Sequence, residues 1–244
     1  MTTPLVSLII PAHNEAAYLP RLLDSVDAAR RAFTGDPSAI EIIVVDDSST
    51  DDTAGIALRA GATVIPSTAR CIAGARNAGA RAARGALLAF IDADNQMHPQ
   101  TFNEIVRQLD RPDVIGGATS VVPERWSLGI AVTVALFLLV VLPLRIDTGV
   151  VFCRRADFER IGGYDERLRF AEDVALHIAL WRLGRKTKRH LVRATAARAI
   201  FSARKFDQFG DWHYLPIMFK APWYLLNRRA GDRLASRYWY DSGR

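Results

Sequence analysis

Two pairs of acidic residues each come directly after an apolar run of the chain. Asp46 and Asp47 follow one run, and Asp92 and Asp94 follow another. Two carboxylates on a tight turn are typical ligands for Mg²⁺ or Mn²⁺, because these hard cations prefer oxygen and keep positions open for phosphate and water. The alternative for Asp94 is a purely structural role, in which it starts the helix expected ahead of Pro99.

Strand and helix patterns alternate in the segment that carries these acids. Apolar runs predict strands at 5–10, 40–45, 63–65 and 87–91, and helical spacing predicts helices at 17–33, from about 51, and at 72–83. Near-continuous apolar strands are typical of a parallel sheet with both faces covered. In such an open α/β sheet the ligands lie at the carboxyl ends of the strands, so both acidic pairs should face one crevice.

The composition is that of a globular protein with an uneven charge distribution. Half of the 244 residues are hydrophobic, which excludes a disordered, collagen-like or small disulfide-stabilised protein. Residues 1–125 hold 11 basic and 15 acidic residues, whereas residues 126–244 hold 21 basic and 11 acidic ones. The formal net charge of +6 is thus the sum of an acidic first half and a basic second half. The acidic half suits metal or polar ligands, and the basic half suits an anionic partner.

The two cysteines, Cys71 and Cys153, are too few and too far apart for a disulfide framework or a zinc site. This usage predicts a reducing compartment, and the N-terminus has no signal-peptide pattern, so we expect a cytoplasmic location. There is no internal repeat, low-complexity segment or linker, and we therefore expect one continuous domain.

Several motifs follow one another in an order that is more specific than any one of them. They are 6–15 (VSLIIPAHNE), 44–51 (VVDDSSTD), 74–79 (GARNAG), 90–94 (FIDAD), 147–149 (DTG), 161–166 (IGGYDE), 172–173 (ED) and 180–184 (LWRLG). Over about residues 5–190, the set resembles family 2 of the nucleotide-sugar glycosyltransferases, which have the GT-A fold. The resemblance implies an α/β protein with a Rossmann-like open mixed sheet flanked by helices, in a single domain with an apolar and basic C-terminal part.

Three parts of that domain follow from the same resemblance. We expect a nucleotide-sugar-binding part at 1–112, an acceptor-side part with the catalytic base at 113–205, and an aromatic and basic segment at 206–244. Residues 206–240 hold 10 of the 22 aromatic residues of the chain.

The resemblance also implies roles for individual residues. The residues implied to bind the donor nucleotide are Pro11, His13, Glu15, Asp46, Asp47, Arg76 and Asp92. His13 stands where the family often has a tyrosine, and the change keeps a ring for stacking on the base. Arg76 would approach the ribose or the diphosphate. Asp92 and Asp94 match the metal-binding motif, and His213 is a further candidate ligand, although a histidine among aromatic residues is more often structural.

The catalytic base implied by the resemblance is Asp173, with Glu172 beside it. When a nucleoside diphosphate leaves a sugar, negative charge builds up on the bridging oxygen, and Mn²⁺ or Mg²⁺ stabilises that charge. A carboxylate on the opposite face of the anomeric carbon takes the proton of the attacking hydroxyl, so one base and one displacement imply inversion. The structural alternative for Asp173 is an acid in the first turn of the helix expected at 174–183.

Residues 126–144 form a 19-residue run without a charged residue, long enough to span a membrane. A span here would separate Asp92 and Asp94 from Asp173, so we expect a buried helix, an interfacial or re-entrant segment, or a subunit contact in an oligomer. Residues 213–229 mix apolar and aromatic residues with cations, which suits peripheral contact with a membrane.

The stretch 182–206 has nine Lys or Arg residues and no acid. Such a stretch suits anionic lipid headgroups, a pyrophosphate-linked acceptor, or simply solvent.

The expected function is an inverting, metal-dependent transfer of a sugar from a nucleotide diphosphate sugar to the hydroxyl of a glycan or lipid-linked acceptor, in the cytoplasm or at the inner face of the plasma membrane. The alternative is a catalytically silent nucleotide-sugar-binding or scaffold protein on the same fold. Residues 11–15 are not the Gly-rich basic loop of a nucleotidyltransferase, and 74–79 lacks the dinucleotide-binding and P-loop patterns. The acidic first half argues against a nucleic-acid partner.

Overall fold

The fold is built on one mixed sheet of seven strands in the order β3-β2-β1-β4-β6-β5-β7. The computed structural model describes residues 3–144, 146–169 and 171–226. The strands are β1 Val6–Ala12, β2 Ile40–Asp47, β3 Thr63–Ser67, β4 Leu87–Phe90, β5 Val114–Pro123, β6 Val151–Arg154 and β7 His190–Phe201. The open mixed α/β sheet predicted from the sequence is confirmed.

Helices cover both faces of this sheet. They are α1 Leu19–Arg31, α2 Thr53–Arg59, α3 Ile72–Ala82, α4 Thr101–Leu109, α5 Leu128–Leu144, α6 Arg155–Ile161, α7 Glu172–Thr187, α8 Arg204–Phe209 and α9 Tyr214–Leu226, with a 3₁₀ turn at Pro37–Ala39. Strands β1 to β4 run parallel to their neighbours in this group, β6 is antiparallel to β4 and β5, and β7 is parallel to β5.

The core lies in two layers, one on each face of the sheet. Leu8 and Ile10 of β1 belong to the layer under α1 and α4, whereas Ile9 between them belongs to the layer under α3 and α7. Successive side chains of a strand point to opposite faces, so an unbroken apolar run is what a strand covered on both faces requires.

The parallel register brings the two acidic pairs to the same edge of the sheet. Ala12 at the end of β1 pairs with Asp46 of β2, and on the other side of β1 Ile9 pairs with Phe90 of β4. The ends of β2 and β4 therefore flank the end of β1, as predicted. Helix α4 begins only at Thr101, so Asp94 does not start that helix.

Helix α5 occupies most of the apolar run 126–144 and is not a core helix. Ile130 and Val141 are buried, but Leu128, Leu139 and Leu142 are 72%, 71% and 50% exposed. Among the three alternatives for this run, complete burial is therefore wrong. Within the described residues, no helix combines the length and hydropathy needed to cross a membrane.

The acid-free stretch 182–206 becomes the end of α7, the edge strand β7 and the start of α8. Several of its cations are paired with acids from other segments. Arg189 makes a two-fold ion pair with Asp157 at 2.7 Å, and Arg193 lies 2.8 Å from buried Asp147. Part of the charge in this stretch thus fastens β7 to the domain and is not directed at an external anion.

Helix α3 lies very close to the sheet because it carries glycine where it crosses β1 and β2. A Cβ atom at Gly79 would lie 2.4 Å from Ile9 Cγ2 and 2.8 Å from Val45 Cγ2. These are buried β-branched side chains that have little freedom to move.

We predict that Gly79→Ala lowers the free energy of unfolding by about 1–2 kcal/mol, because overpacking outweighs the helix propensity that alanine gains. The measurement is urea denaturation followed by circular dichroism. Arg81→Ala, at an exposed position of the same helix, is the control and should change the free energy by less than about 0.5 kcal/mol. An equal effect of both variants would contradict the packing argument.

Candidate active site

The loops after β1, β2 and β3 hold strained backbone at one edge of the sheet. Asn14, Ser48 and Arg70 have φ angles of 54°, 62° and 48°, in the left-handed region that non-glycine residues seldom adopt. Such strain persists only where the surrounding structure enforces it, and it concentrates at functional sites.

Hydrogen bonds between the first two loops enforce this conformation. The Asn14 side-chain carbonyl accepts from the Thr50 N–H at 2.7 Å, and the Asn14 N–H donates to Ser49 Oγ at 3.0 Å. The N–H of Glu15 donates to Thr53 Oγ1 at 2.8 Å. These bonds make one rigid rim from the segments predicted to bind the nucleotide.

The structure brings His13, Asp46 and Asp47 together on that rim. His13 Nδ1 lies 2.8 Å from the Asp47 carbonyl oxygen, which can only accept, so Nδ1 carries the proton and the exposed ring is held in place. Asp47 is buried, and its Oδ1 accepts from Ser67 Oγ at 2.8 Å and from the Arg70 N–H at 3.1 Å. An exposed, oriented ring next to carboxylates can take up a planar base by stacking.

A single guanidinium connects the acids after β4 with those at the start of α7. Arg76 Nη2 lies 2.7 Å from Asp92 Oδ1, and Nη1 lies 3.0 Å from Glu172 Oε1 and 2.8 Å from Asp173 Oδ1. The Arg76 side chain is only 4% exposed. The predicted metal motif and the predicted base are therefore parts of one site.

Tyr164 completes this cluster and had no role assigned from the sequence. Its hydroxyl donates to Asp173 Oδ1 at 3.1 Å, and its ring centroid lies 5.1 Å from Arg76 Cζ. Burial, and then the charge of Asp173, raise the pKa of Tyr164, so it stays a neutral donor. The sequence signal that could have identified Tyr164 is its position inside the IGGYDE motif.

The two acids at the start of α7 have different surroundings. Asp173 uses only Oδ1 for its bonds within the described residues, and its side chain is 22% exposed, which leaves Oδ2 available to a ligand. Burial, and then the charge of Asp173, raise the pKa of Glu172 to about 7. Both lie in the first turn of α7, as the structural alternative also required.

Asp94 and Glu15 are joined by an arginine that sequence reasoning missed. Arg204, the first residue of α8, donates to Glu15 Oε2 at 2.9 Å and lies 3.1 Å from Asp94 Oδ2. Burial raises the pKa of Glu15 to about 7 and also raises the pKa of Asp94. No motif marks Arg204, because it is one cation of a basic stretch.

The site has more negative than positive charge, which is the condition for binding a divalent cation. Its carboxyl groups are Glu15, Asp92, Asp94, Glu172 and Asp173, and its guanidinium groups are Arg76 and Arg204. Burial is the main cause of the raised pKa values of Glu15 and Glu172, and the neighbouring charges of Asp94 and Asp173 raise them further.

The chemistry of the donor set fits Mn²⁺ or Mg²⁺ held jointly with a ligand. Among the residues that the structure describes, no three His, Cys, Asp or Glu side chains are grouped as a metal site. Asp92 and Asp94 offer two carboxylates, and a cation that keeps several positions for water and phosphate is commonly bound by one or two carboxylates plus a substrate.

His213 packs among aromatic residues, and in the described part of the chain it is not grouped with Asp92 and Asp94 as a metal site. Its Nδ1 lies 2.5 Å from the Gly210 carbonyl oxygen, and its ring packs against Phe206 and Tyr214 with centroid distances of 5.1 and 4.1 Å. The ligand role of His213 stays a prediction.

Comparison with known proteins agrees with the fold. The family model described as Glycosyl transferase family 2 matches residues 7–134, just over half of the chain. A glycosyltransferase of Mycobacterium tuberculosis is 35% identical over 113 residues, which are 46% of this chain and 47% of the relative. The chain belongs to glycosyl transferase family 2.

Other relatives match a similar share of the chain. An undecaprenyl-phosphate 4-deoxy-4-formamido-L-arabinose transferase of Pseudomonas fluorescens is 36% identical over 120 residues, which cover 46% of this chain and 34% of that protein. The chain thus spans about half, or less, of the length of the curated relatives it matches.

Solved structures share the fold at low sequence identity. A mannosyltransferase from Pyrobaculum calidifontis in complex with GDP-Man and Mn²⁺ aligns with a TM-score of 0.65 and 22% identity, over 82% of this chain and 57% of that one. Glucosyl-3-phosphoglycerate synthase from Mycobacterium tuberculosis in complex with Mn²⁺, UDP and its product aligns with a TM-score of 0.59 and 19% identity, over 89% and 79%.

We predict that Glu172→Gln stabilises the protein above pH 7. A carboxyl whose pKa is raised on folding binds extra protons in the folded state, so its contribution to stability is lost as pH rises from about 4.5 to about 7. The variant should gain about 1–3 kcal/mol over the wild type at pH 8, and the gain should shrink toward pH 5.

The measurement is urea denaturation from pH 5 to pH 8. Glu159→Gln, an exposed acid on α6, is the matched control and should show no such pH-dependent gain. If the stability gain of Glu172→Gln instead grew toward low pH, the pKa of Glu172 would not be raised in the folded protein.

Proposed function

We propose that the chain is a divalent-metal-dependent, inverting glycosyltransferase that moves a sugar from a nucleotide diphosphate sugar to a hydroxyl acceptor. The observation that carries this proposal is the contact of Arg76 with both Asp92 and Asp173. One planar guanidinium and its two hydrogen bonds place these carboxylates within about 8 Å of each other. A sugar diphosphate can reach both groups at once.

The donor would be bound across the edge of the sheet. His13 offers a ring to the base, and Asp47 and Asp46 offer oxygens to the base or ribose. Asp92 and Asp94 would hold Mn²⁺ or Mg²⁺, which stabilises the charge that develops on the departing diphosphate.

Asp173 would act as the base. Arg76 and Tyr164 both bind its Oδ1, so they fix the orientation of the carboxylate and leave Oδ2 for the acceptor hydroxyl. Glu172 is more buried than Asp173, with a side chain 12% exposed against 22%, so it suits a supporting role. Attack from the side opposite to the diphosphate gives inversion at the anomeric carbon.

The relatives support a nucleotide-sugar donor and suggest the acceptor class. Two structures with this fold hold Mn²⁺ together with GDP-Man or UDP. The Pseudomonas fluorescens relative is named as a transferase acting with undecaprenyl phosphate, which favours a lipid-linked acceptor among the glycan and lipid alternatives.

A thermal-shift screen of UDP-, GDP- and dTDP-sugars with and without Mn²⁺ tests the donor and metal together. A ligand that binds only the folded protein stabilises it by about 2.7 kcal/mol at 100 times its dissociation constant. One donor should raise the melting temperature in Mn²⁺ and not in EDTA, and Asp94→Ala should abolish this rise. A rise that is independent of metal would contradict metal dependence.

We predict that Asp173→Asn retains the donor-induced thermal shift and loses about 10²- to 10⁴-fold in transfer rate, because only the proton acceptor is removed. The rate is measured as nucleoside diphosphate release in the presence of Mn²⁺ and acceptor. Asp165→Asn, whose carboxylate pairs with Arg167 in the preceding loop, is the matched control.

Two outcomes would contradict the proposal. Wild-type turnover by Asp173→Asn would remove the base assignment. Donor binding by the wild type without any transfer or hydrolysis would favour a catalytically silent nucleotide-sugar-binding protein.

We further propose that 126–144 and 213–229 make peripheral contact with a membrane. Trp126, Leu139, Phe219 and Trp223 are 61%, 71%, 78% and 52% exposed. The starts of α5 and α9 adjoin, since a Cβ at Gly129 would lie 2.7 Å from the Asp211 carbonyl oxygen. Exposed tryptophans beside aliphatic side chains suit a headgroup boundary. The last residues of 213–229 lie outside the described residues.

We predict that the wild type sediments with vesicles of phosphatidylglycerol and phosphatidylcholine and that Trp126→Ala and Trp223→Ala reduce the bound fraction. Each removes an exposed aromatic anchor from the proposed surface. Trp181→Ala removes a tryptophan that is 47% exposed on α7 and serves as the control. No vesicle binding by the wild type, or an equal loss with Trp181→Ala, would contradict the contact.

A further inference from the structure

The side chain of Arg204 occupies the space between two of the carboxyls that surround the proposed metal position. Its Nη1 lies 2.9 and 3.1 Å from the two oxygens of Glu15, and Nη2 lies 3.1 Å from Glu15 Oε1 and from Asp94 Oδ2. Its Cζ lies 4.7 Å from the centroid of the Tyr18 ring. Ion pairs, hydrogen bonds and the contact with the Tyr18 ring therefore hold this guanidinium in position.

Arg204 reaches this place from a distant part of the chain. Glu15 follows β1 and Asp94 follows β4, whereas Arg204 begins α8 after the edge strand β7. Its Nε is buried and has no hydrogen-bond partner among the described residues, so the guanidinium is held there by the carboxylates and the tyrosine ring alone. The ion pair fastens the start of α8 onto the rim of the site.

Arg204 Nη2 and Asp94 Oδ2 form an ion pair at 3.1 Å, whereas the hydrogen bonds of the guanidinium go to Glu15. A divalent cation at Asp94 would repel the positive charge of Arg204 at close range. Binding of a metal at Asp94 and retention of the Arg204–Asp94 ion pair therefore oppose each other.

We propose that Arg204 is a resident counter-cation that divalent metal must displace from Asp94, so that Arg204 opposes metal binding at this carboxylate. This inference rests on the proposed function, because it takes Asp94 as a metal ligand. Arg204 acts in it as a positioning residue: without metal it pairs with both Asp94 and Glu15, and with metal it keeps only its hydrogen bonds to Glu15.

The test is the affinity for Mn²⁺ alone, measured by the loss of the free Mn²⁺ signal in electron paramagnetic resonance. Arg204→Gln removes the competing charge and should bind Mn²⁺ at least about tenfold more tightly than the wild type, a change of about 1.4 kcal/mol. Arg204→Lys keeps the charge but loses the planar guanidinium that spans two carboxylates. Its affinity for Mn²⁺ should therefore lie between those of the wild type and Arg204→Gln.

Arg21→Gln is the matched control for a general effect of charge. Arg21 Nη2 donates to the backbone carbonyl of Asp94 at 3.2 Å, and the side chain pairs with Glu124 instead of the Asp94 carboxylate. The Arg21→Gln substitution removes one positive charge close to the same site and leaves Arg204 between Glu15 and Asp94. The affinity of Arg21→Gln for Mn²⁺ should stay within about twofold of the wild type, because the Arg21 charge is paired with Glu124 and does not contact the Asp94 carboxylate.

Each variant is first shown to be folded by its circular dichroism and by cooperative unfolding.

The outcomes separate this inference from the function on which it rests. Mn²⁺ binding by the wild type that Arg204→Gln leaves unchanged or weakens would overturn the displacement while metal dependence stands. Equal tightening by Arg21→Gln and Arg204→Gln would also overturn it, because general electrostatics would then explain the effect. Absence of Mn²⁺ binding in every variant would overturn both.

Discussion

The arrangement of the site depends on one buried positive charge. Arg76 bonds to Asp92 after β4 and to Glu172 and Asp173 at the start of α7, so three carboxylates from distant segments share one guanidinium. Removal of the Arg76 guanidinium would be costly, since its carboxylate partners would then stay close together without a compensating charge. The rest of the site must keep this geometry: α3 approaches the sheet closely enough to present Arg76, and Tyr164 contacts both the guanidinium and Asp173.

The remaining charge of the site is incompletely balanced. Five carboxyls lie around two guanidinium groups, and four of these carboxyls are at most 22% exposed, whereas Asp92 is 48% exposed. Strained backbone lies at the same places, because Asn14, Ser48 and Arg70 lie on the rim and Ala171, with a φ of 58°, directly precedes Glu172. Excess negative charge and enforced backbone suit the cation and the anionic ligand that we propose for this site.

Much of the fold followed from local patterns. The apolar runs of β1, β2 and β4 are unbroken because both faces of these strands are covered, and turn chemistry ends them at the residues that carry function. Strand β7 was missed because its sequence, HLVRATAARAIF, has arginine, threonine and alanine through its middle and no long apolar run. It is an edge strand that is held by its pairing with β5 and by ion pairs, and no local sequence pattern predicts such contacts.

The type of fold and the convergence of the acids after β2 and β4 on one crevice follow from the order of strand and helix patterns in the sequence, and the candidacy of Asp173 follows from the resemblance of the ordered motifs to the family. The contacts of Arg76 with Asp92 and Asp173, of Tyr164 with Asp173, and of Arg204 with Asp94 are properties of the folded domain alone. Each of these is a contact between segments far apart in the chain. The partner of a charge is set by the packing of the whole domain, which residue types and spacing do not specify.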